Sequence, residues 1–298
     1  MLEEILALKK ERRAVILAHN YQIPDVQDVA DLVGDSLELS RAAARLDEDV
    51  IIFCGVDFMA ETAAILSPQK TVVQPAKGAW CPMAHMVTPG QLRELKTLYP
   101  DAAVVCYVNS TAEVKAESDI CCTSANGVQV ANSLDQNQVI FIPDRNLAAY
   151  VARHTKKQII PRNGYCYVHD HFTPDEVKAA RALHPGAEVL VHPECRPEVI
   201  DQADFVYSTA GMGRHAKSGA AREFIIGTEV GMIYRLKKEN PEKQFYPLSE
   251  KAVCQNMKKT NLEKVLRALQ TLEPRVSVPE DIAVRAKRAI ERMLEVKV

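Results

Sequence analysis

Three apolar segments that end in polar side chains decide the fold of this chain: Ala14-Val-Ile-Leu-Ala-His-Asn-Tyr21, Ala103-Val-Val-Cys-Tyr-Val-Asn109 and Glu188-Val-Leu-Val-His-Pro-Glu194. His19, Tyr107 and His192 occupy the same place in the three segments, 88 and then 85 residues apart. Short apolar runs of this kind are typical of buried parallel strands. Their regular spacing indicates a threefold internal repeat.

Other polar landmarks recur with nearly the same period. The pairs Asp35-Ser36, Thr123-Ser124 and Tyr207-Ser208 place serines 88 and 84 residues apart. Acids follow a second set of apolar runs at Asp57, Asp144 and Glu229, with spacings of 87 and 85. A shared pattern of strands and helices explains the apolar runs, but it does not explain polar residues that stay in register.

The segments between the landmarks predict the fold class. Thr88-Pro89 and Thr173-Pro174 are start signals for two helices 85 residues apart. Each repeat reads as strand, helix, Ser-initiated helix, buried strand, helix and a short last strand, the last expected at 71–73, 158–160 and 244–246. We therefore predict an α/β fold of three Rossmann-like αβα repeats, with parallel sheets arranged around a pseudo-threefold axis, plus C-terminal helices.

The same period gives the expected domain boundaries. We expect the first repeat in residues 1–84, the second in 85–169, and the third in 170–273, including the segment around Cys254. Helical spacing of Leu262, Val265, Leu266 and Leu269 predicts one C-terminal helix, and 282–294 predicts a second. We expect the helices of 274–298 to pack on the first repeat.

Composition excludes several classes of protein. The 298 residues are 47% hydrophobic and 26% charged, which is typical of a globular chain and not of disordered or collagenous ones. A formal charge of -2 provides no broad basic field for nucleic acid or an anionic membrane. Because the apolar runs are short and the chain begins with acids, at Glu3 and Glu4, we expect a cytoplasmic protein without nucleic-acid or membrane partners.

Three of the eight cysteines, Cys81, Cys166 and Cys254, also follow the repeat, with spacings of 85 and 88. They would meet near the axis, where three thiolates suit an iron-sulfur cluster that lacks a fourth protein ligand. Its open iron could act as a Lewis acid in a dehydration. The alternative, structural zinc, usually has four ligands at short spacings. We expect buried apolar roles for Cys54, Cys106, Cys121 and Cys122, leave Cys195 open, and expect no disulfide framework.

The polar landmarks follow strands, where ligands of parallel α/β units bind. We therefore expect convergence on one central cleft of His19, Tyr21, Tyr107, Asn109, His192 and Glu194. Ser36, Ser124 and Ser208 each precede a helix-like segment, where a hydroxyl and free backbone amides would hold phosphate or carboxylate groups. The alternative is that each serine merely caps its own helix.

At this point the sequence resembles the quinolinate synthases, iron-sulfur enzymes of de novo NAD biosynthesis, over nearly its whole length. The resemblance is carried by Ala18-His-Asn-Tyr21, Gly34-Asp-Ser36, Gly55-Val-Asp-Phe-Met59, Cys81-Pro-Met83, Tyr107-Val-Asn-Ser110, Thr123-Ser-Ala-Asn126, Pro143-Asp-Arg-Asn146, His192-Pro-Glu-Cys195, Ser208-Thr209, Gly227-Thr-Glu229 and Met257-Lys258. It implies three Rossmann-like domains around a central active site, and a 4Fe-4S cluster held by Cys81, Cys166 and Cys254 with one open iron.

The resemblance also implies an activity. A transferase of this family condenses iminoaspartate (iminosuccinate) with dihydroxyacetone phosphate to quinolinate, releasing phosphate and two waters, and an aspartate-oxidising enzyme supplies the iminoaspartate. Tyr21 and Glu194 resemble the acid/base pair. His19, Tyr107 and His192 are the other catalytic candidates. The implied substrate-binding positions are His19, Ser36, Tyr107, Val108, Asn109, Ser124, His192, Pro193, Glu194, Ser208 and Thr209.

Two departures from the family pattern stand out. Longer members carry further cysteines as C-x-x-C-x-x-C near the last ligand, whereas this chain reads Cys254-Gln-Asn-Met-Lys-Lys-Thr260, so we expect no thiol switch there. Ala210 stands where a glycine is expected. The polar run after it, 214–222, is interpreted as a mobile loop or a solvated surface.

Other functions fit parts of the pattern. A hydro-lyase that uses an open iron on a different small acid is the main alternative, and product analysis would separate the two. A redox-sensing or metal-storage protein would not need periodic His, Tyr, Asn, Glu and Ser side chains around its metal. A dinucleotide-dependent dehydrogenase is disfavoured because no G-x-G-x-x-G follows any first strand.

Overall fold

The computed structural model describes residues 1–297. In this part of the chain, one pattern of alternating helices and strands occurs three times, and each time it builds a four-stranded parallel sheet. The first unit comprises α1 (Leu2–Glu11), β1 (Ala14–His19), α2 (Pro24–Val29), β2 (Leu32–Gly34), α3 (Ser36–Ala43), β3 (Val50–Cys54), α4 (Asp57–Leu66) and β4 (Thr71–Val73).

The other two units repeat this order. The second comprises α5 (Pro89–Leu98), β5 (Ala103–Tyr107), α6 (Ala112–Ala116), β6 (Ile120–Cys122), α7 (Gly127–Asn132), β7 (Gln138–Ile142), α8 (Arg145–Ala152) and β8 (Gln158–Pro161), followed by α9 (Tyr167–Asp170). The third comprises α10 (Pro174–Leu183), β9 (Glu188–Val191), α11 (Pro197–Ile200), β10 (Phe205–Val206), α12 (Thr209–Ser218), β11 (Glu223–Gly227), α13 (Gly231–Glu239) and β12 (Gln244–Pro247). The chain continues through α14 (Leu262–Thr271) and α15 (Glu280–Glu295).

The three sheets have the same strand order: β2-β1-β3-β4, β6-β5-β7-β8 and β10-β9-β11-β12. The predicted α/β fold of three Rossmann-like repeats with C-terminal helices is therefore confirmed. Because the second strand of each unit lies on one side of the first and the third on the other, the strand order reverses between the two central strands. A crevice for ligands forms at the carboxyl ends of strands at such a point.

The central strands are buried because helices cover both faces of each sheet. All six residues of β1 and all five of β3 and β5 are buried, as the uninterrupted apolar runs predict. The first and second units share one apolar cluster, which also includes residues of α15. None of the helices in residues 1–297 is long and apolar enough to cross a membrane.

The predicted helix start signals are confirmed. Thr88 caps α5 and Thr173 caps α10, each with a capping box in which the side chain of Gln91 or Glu176 accepts a hydrogen bond from the backbone N–H of the cap. The predicted short last strands are present as β4, β8 and β12. A capped helix that leads into a buried strand therefore starts the second and third units in the same way.

Two local expectations differ from the structure. The second strands β2, β6 and β10 were not predicted, since two or three residues are too few for a periodic signal. Of the two interpretations of 214–222, the loop is wrong as far as Ser218, where α12 ends, whereas the solvated surface is confirmed by the exposed side chains of Arg214, Lys217 and Arg222. Ala210, Met212 and Ala216 are buried on this helix, and their packing holds the polar residues between them in helical conformation.

A further threefold feature lies at the amino ends of the sheets. Asp31, Asp119 and Asp204 each accept a hydrogen bond from the backbone N–H of a first strand, at Ile16 (2.8 Å), Val104 (2.7 Å) and Val189 (2.7 Å). Each acid lies 15 residues after its donor. These bonds fix the turn before the second strand against the start of the first.

The C-terminal helices join the units in a way that the period does not predict. α14 packs against α1 and β3 of the first unit, although the sequence boundary at 273 groups it with the third. α15 contacts α4 of the first unit, where we expected it, and also α6 and β6 of the second. The apolar face of α15 fits between two units, and Val298, the end of the expected range, lies outside the described residues.

Truncating Ile290 should test this packing. Ile290 is fully buried on α15, so Ile290→Ala should lower the free energy of unfolding by about 2–5 kcal/mol through lost apolar burial and a cavity. Val284 on the same helix is 58% exposed, so Val284→Ala should change the free energy of unfolding by less than about 0.5 kcal/mol. Urea denaturation measures both, and equal losses would contradict the described packing of α15.

Candidate active site

One cavity lies at the carboxyl ends of the strands and takes side chains from all three units. It brings together most of the polar residues expected from the sequence, and the three periodic cysteines. These are His19, Tyr21, Ser36, Cys81, Tyr107, Asn109, Ser124, Cys166, His192, Glu194, Thr209 and Cys254. Two further polar residues, Asp35 and His169, and the apolar side chains of Val56, Phe58, Met59, Val168 and Met257 complete its wall.

Three expected residues do not line this cavity. Val108 is buried in the apolar cluster of the first two units, and Pro193 and Ser208 line a neighbouring surface cleft. Asn109 does line it, and within residues 1–297 its buried Oδ1 has no hydrogen-bond partner. A buried acceptor without a partner is costly, so Asn109 Oδ1 is available for a donor on a ligand.

The serine register needs a correction in the third unit. We expected Ser36, Ser124 and Ser208 to be equivalent, but Ser208 is the N-cap of α12 and accepts a hydrogen bond from Gly211 N. Asp35 is the corresponding cap of α3. The residue that matches Ser36 and Ser124 is therefore Thr209, which gives spacings of 88 and 85, the same as for the first strands.

In the first and third units, the residue that caps the helix and the residue that matches Ser124 are therefore neighbours in sequence. Ser36 and Thr209 are the first residues of α3 and α12, so the N-terminal ends of two helices face the cavity. The helix dipole makes such ends positive, which favours anionic groups, although Leu37 N and Glu38 N already donate to Asp35 and Gly211 N already donates to Ser208. In the described part of the chain, no Lys or Arg side chain is among the lining residues.

His19 and His192 occupy equivalent positions and share one tautomer. Nδ1 of His19 accepts a hydrogen bond from Tyr21 N (3.2 Å), and Nδ1 of His192 accepts one from Glu194 N (3.3 Å). Burial lowers the pKa of each imidazole to about 3. Both rings are therefore neutral near pH 7 and carry their hydrogen on Nε2, the tautomer that can donate to a ligand oxygen.

Glu194 is the centre of a buried hydrogen-bond network. Tyr107 donates from its hydroxyl to Oε1, and Nδ1 of His169 lies 2.7 Å from Oε2. Nε2 of His169 lies 2.8 Å from Oγ1 of Thr228, which is 2.6 Å from the hydroxyl of Tyr21. Every donor has an acceptor when Tyr21 donates to Thr228, Thr228 to His169 and His169 to Glu194, so the two ends of the network are linked by shared protons.

The environment of this network sets the charge of its members. Burial opposes ionisation of Glu194, but the nearby rings of His169 and His192 and hydrogen bonds from His169 and Tyr107 lower its pKa to about 2. Burial, aided by the negative charge of Glu194, raises the pKa of Tyr21 and of Tyr107 well above the usual value. At neutral pH the network therefore holds one carboxylate that can take a proton and two phenols that keep theirs.

The three cavity thiols are close enough to affect one another. Burial raises the pKa of Cys81, Cys166 and Cys254, and the pKa values of Cys81 and Cys166 are raised further by neighbouring cavity cysteines. Without a cation these sulfurs therefore stay protonated, whereas a bound metal ion would deprotonate them.

The spacing of the thiols limits what they can bind. Within residues 1–297, the metal-ligating atoms that form a group of three within 4.8 Å of one another belong to Cys166, His169 and Glu194, and the three thiols do not form such a group. Two sulfurs on one zinc ion lie no more than about 4.6 Å apart, since each bond is about 2.3 Å. In the positions that the structure gives them, the three thiols therefore do not surround a single ion.

The Cys166, His169 and Glu194 group is a poor site for an ion. Both nitrogens of His169 are already hydrogen-bonded, one to Glu194 and the other to Thr228. A metal ligand needs a free lone pair on one ring nitrogen. The geometry therefore supports a proton-sharing group beside a separate site formed by the thiols.

The other cysteines have the structural roles expected of them. Cys54, Cys106, Cys121 and Cys122 are buried in the apolar core, and all eight cysteines, which lie within the described residues, are free. Cys195, which the sequence left open, is also fully buried, in the apolar cluster of the third unit. The absence of a disulfide framework is confirmed for these residues.

Sequence reasoning missed two members of the network, His169 and Thr228. His169 lies three residues after Cys166, and the equivalent positions in the other units hold Ala84 and Met257. It has no periodic counterpart, so the repeat gave no signal for it. Thr228 precedes Glu229 in the quoted motif Gly227-Thr-Glu229, but its place beside Tyr21 depends on packing between units.

Comparison with known proteins identifies the family of this chain. Residues 3–295 match the family model described as "Quinolinate synthetase A protein". The chain is 62% identical over 292 residues to a quinolinate synthase of Methanoregula boonei, covering 98% of this chain and 97% of that one.

Two other relatives are nearly as similar. A quinolinate synthase of Dehalococcoides mccartyi is 57% identical over 293 residues, with 98% of this chain and 97% of the relative covered. One of Pyrococcus abyssi is 54% identical over 297 residues, with 99% of each chain covered. The family model and these relatives extend over nearly the whole chain. This chain therefore belongs to the quinolinate synthase family.

Proposed function

We propose that the protein is a transferase that condenses iminoaspartate with dihydroxyacetone phosphate to give quinolinate, phosphate and two waters. The observation that carries this proposal is the single cavity in which one cysteine from each unit lies beside the network of Tyr21 and Glu194. Family membership supports the same activity.

The donor set fits a 4Fe-4S cluster. Cys81, Cys166 and Cys254 would hold it, because their thiols face one cavity and do not surround a single ion. With three protein ligands for four irons, the bound cluster would supply an open iron that acts as a Lewis acid in dehydration. The chain has Met257 and Thr260 where longer family members have cysteines. It therefore lacks the further thiols near Cys254 that a redox switch would need.

The substrates are anionic, and the cavity meets negative charge without lysine or arginine. We assign the carboxylates and the phosphate to the helix ends at Ser36 and Thr209 and to the nearby Ser124. The Nε2 hydrogens of the neutral His19 and His192 would orient ligand oxygens. Asn109 Oδ1 would accept from the substrate nitrogen.

Proton transfer is assigned to the buried network. Glu194, whose pKa is lowered to about 2, is ionised and would take the proton that must leave a substrate carbon. Tyr21 keeps its proton at neutral pH and would donate it to a departing hydroxyl group. Thr228 and His169 join the two by hydrogen bonds that hold the phenol of Tyr21 and the carboxylate of Glu194 in place.

The proposed function also places the protein in a reaction sequence. Iminoaspartate is unstable in water, so an aspartate-oxidising enzyme would have to supply it. Supplying iminoaspartate with dihydroxyacetone phosphate and identifying the product distinguishes quinolinate formation from the hydro-lyase alternative. A dehydrated small acid as the only product would favour the alternative.

Removing either end of the network should slow the reaction without loss of the cluster. Tyr21→Phe and Glu194→Gln should each lower the rate of quinolinate formation by about 10²–10⁴-fold, the usual contribution of a general acid or base. Anaerobically reconstituted protein provides both readouts, the turnover and the visible absorbance of the cluster.

A matched control is Tyr234→Phe, which removes a tyrosine hydroxyl bonded to Asp28, outside the cavity lining. It should keep the wild-type rate. Unchanged turnover in Tyr21→Phe or Glu194→Gln would remove that residue from the proposed mechanism.

Replacing any one of the three cavity cysteines should prevent stable cluster binding. Cys81→Ser, Cys166→Ser and Cys254→Ser should each lower the iron and sulfide bound after reconstitution and abolish quinolinate formation, because two thiols are too few to hold the cluster. Cys54→Ala, at a buried core position, should retain the wild-type iron content. Full iron content in any of the three serine variants would contradict the assigned ligand set.

A further inference from the structure

Each of the three cavity cysteines is tied to an acidic side chain through its backbone. Cys81 N donates to Oδ1 of Asp57 at 2.9 Å, and Cys166 N donates to Oδ2 of Asp144 at 3.2 Å. Cys254 N donates to Oε1 of Glu229 at 3.1 Å. These are the same periodic acids that the sequence placed after the buried third strands, so one contact occurs three times.

The position of these acids in the fold explains what the contact does. They follow β3, β7 and β11, which are central strands paired on both sides, whereas the cysteines lie in segments that follow the edge strands β4, β8 and β12. The donor and acceptor are 24, 22 and 25 residues apart in the three units. Each bond therefore fastens an irregular segment to the rigid centre of its own sheet.

In two of the units, the other oxygen of the carboxylate also accepts a backbone hydrogen bond. Leu147 N donates to Asp144 at 2.7 Å and Gly231 N donates to Glu229 at 2.7 Å, so these acids are fixed at the starts of α8 and α13. A Cβ on Gly231 would lie 2.8 Å from Oε2 of Glu229, so a glycine is needed for this close approach. A carboxylate held in this way offers a fixed acceptor to its cysteine.

A second polar contact reinforces each segment four residues after its cysteine. Nε2 of His85 lies 2.8 Å from Asp57, and Nζ of Lys258 lies 2.9 Å from Glu229. In the second unit an acid holds this position: Asp170 pairs with Arg145, beside Asp144, through two contacts of 3.0 Å. The residue types differ, but each cysteine segment is held to its own unit by a polar contact.

We propose that Asp57, Asp144 and Glu229 are positioning residues that hold the three cysteine backbones so that their thiols face one cavity before any metal binds. The proposal rests on the proposed function in so far as the thiols are taken to hold a cluster. Its physical basis is preorganisation: a ligand set fixed by the fold spends less binding free energy on ordering three separate segments.

Asp57 gives the clearest test because it is the least buried of the three. Asp57→Ala removes the acceptor for Cys81 N, and Asp57→Asn keeps an oxygen there without the charge. The matched control is Asp31→Ala in the same unit, which removes a carboxylate that accepts from Ile16 N at 2.8 Å and pairs with Lys9 at 2.6 Å, at the other end of the sheet.

Two measurements are needed. The first is hydrogen exchange at the Cys81 amide in the full chain without cluster. The Cys81 amide of Asp57→Ala should exchange about tenfold faster than that of wild type or Asp31→Ala. A hydrogen bond to a charged group shifts the equilibrium between the open and the closed amide by at least that factor. Asp57→Asn should restore most of the protection. Unchanged exchange of the β5 amides, which lie in another unit, shows that overall unfolding does not cause the difference.

The second measurement is the rate at which an iron chelator removes metal from the reconstituted protein. Release from Asp57→Ala should be faster than from Asp31→Ala, with Asp57→Asn between Asp57→Ala and wild type. Equal Cys81 exchange in Asp57→Ala and Asp31→Ala would overturn the proposal. A wild-type protein that assembles no cluster would instead overturn the proposed function, because the exchange measurement needs no metal.

Discussion

Side chains along a buried parallel strand must be apolar on both faces, so polar groups can follow it only where the strand ends. This constraint governs the whole molecule. Each of the three sheets has its central strands covered on both sides, and the chemistry-bearing residues come directly after them. Because the three carboxyl edges face one cavity, groups from distant parts of the chain lie side by side, including His19, Tyr107 and His192.

Low polarity around the cavity then determines how its groups are charged. Burial keeps His19 and His192 neutral and keeps the phenols of Tyr21 and Tyr107 protonated. Glu194 alone overcomes this effect, because two histidines and two hydrogen bonds stabilise its carboxylate. The result is one ionised carboxylate and one protonated phenol, Glu194 and Tyr21, joined by hydrogen bonds through His169 and Thr228.

Periodicity made most of this architecture predictable from the sequence. Apolar runs with fixed spacing gave the central strands, Thr-Pro pairs gave α5 and α10, and polar residues in register gave the cavity lining. The same signal placed Cys81, Cys166 and Cys254 together, although they lie in segments without regular structure. The repeat is informative because equivalent positions in the three units have the same structural environment.

Features that break the period could not be predicted in this way. His169 joins the network from a position where the other units have Ala84 and Met257, and Thr228 reaches Tyr21 only through packing between units. A spacing of 84 made Ser208 look equivalent to Ser36, although the cap and the cavity residue are adjacent and differ in role. The C-terminal helices have no counterpart in the repeat, so only packing showed which units they join.

The central claim is that three thiols, one from each unit, hold one iron-sulfur cluster in this cavity. The most direct measurement is anomalous diffraction at the iron absorption edge from crystals of the anaerobically reconstituted protein. The account predicts one anomalous peak within bonding distance of the sulfurs of Cys81, Cys166 and Cys254. Iron bound instead between Cys166, His169 and Glu194, or a cluster that leaves one of the three sulfurs without contact, would contradict it.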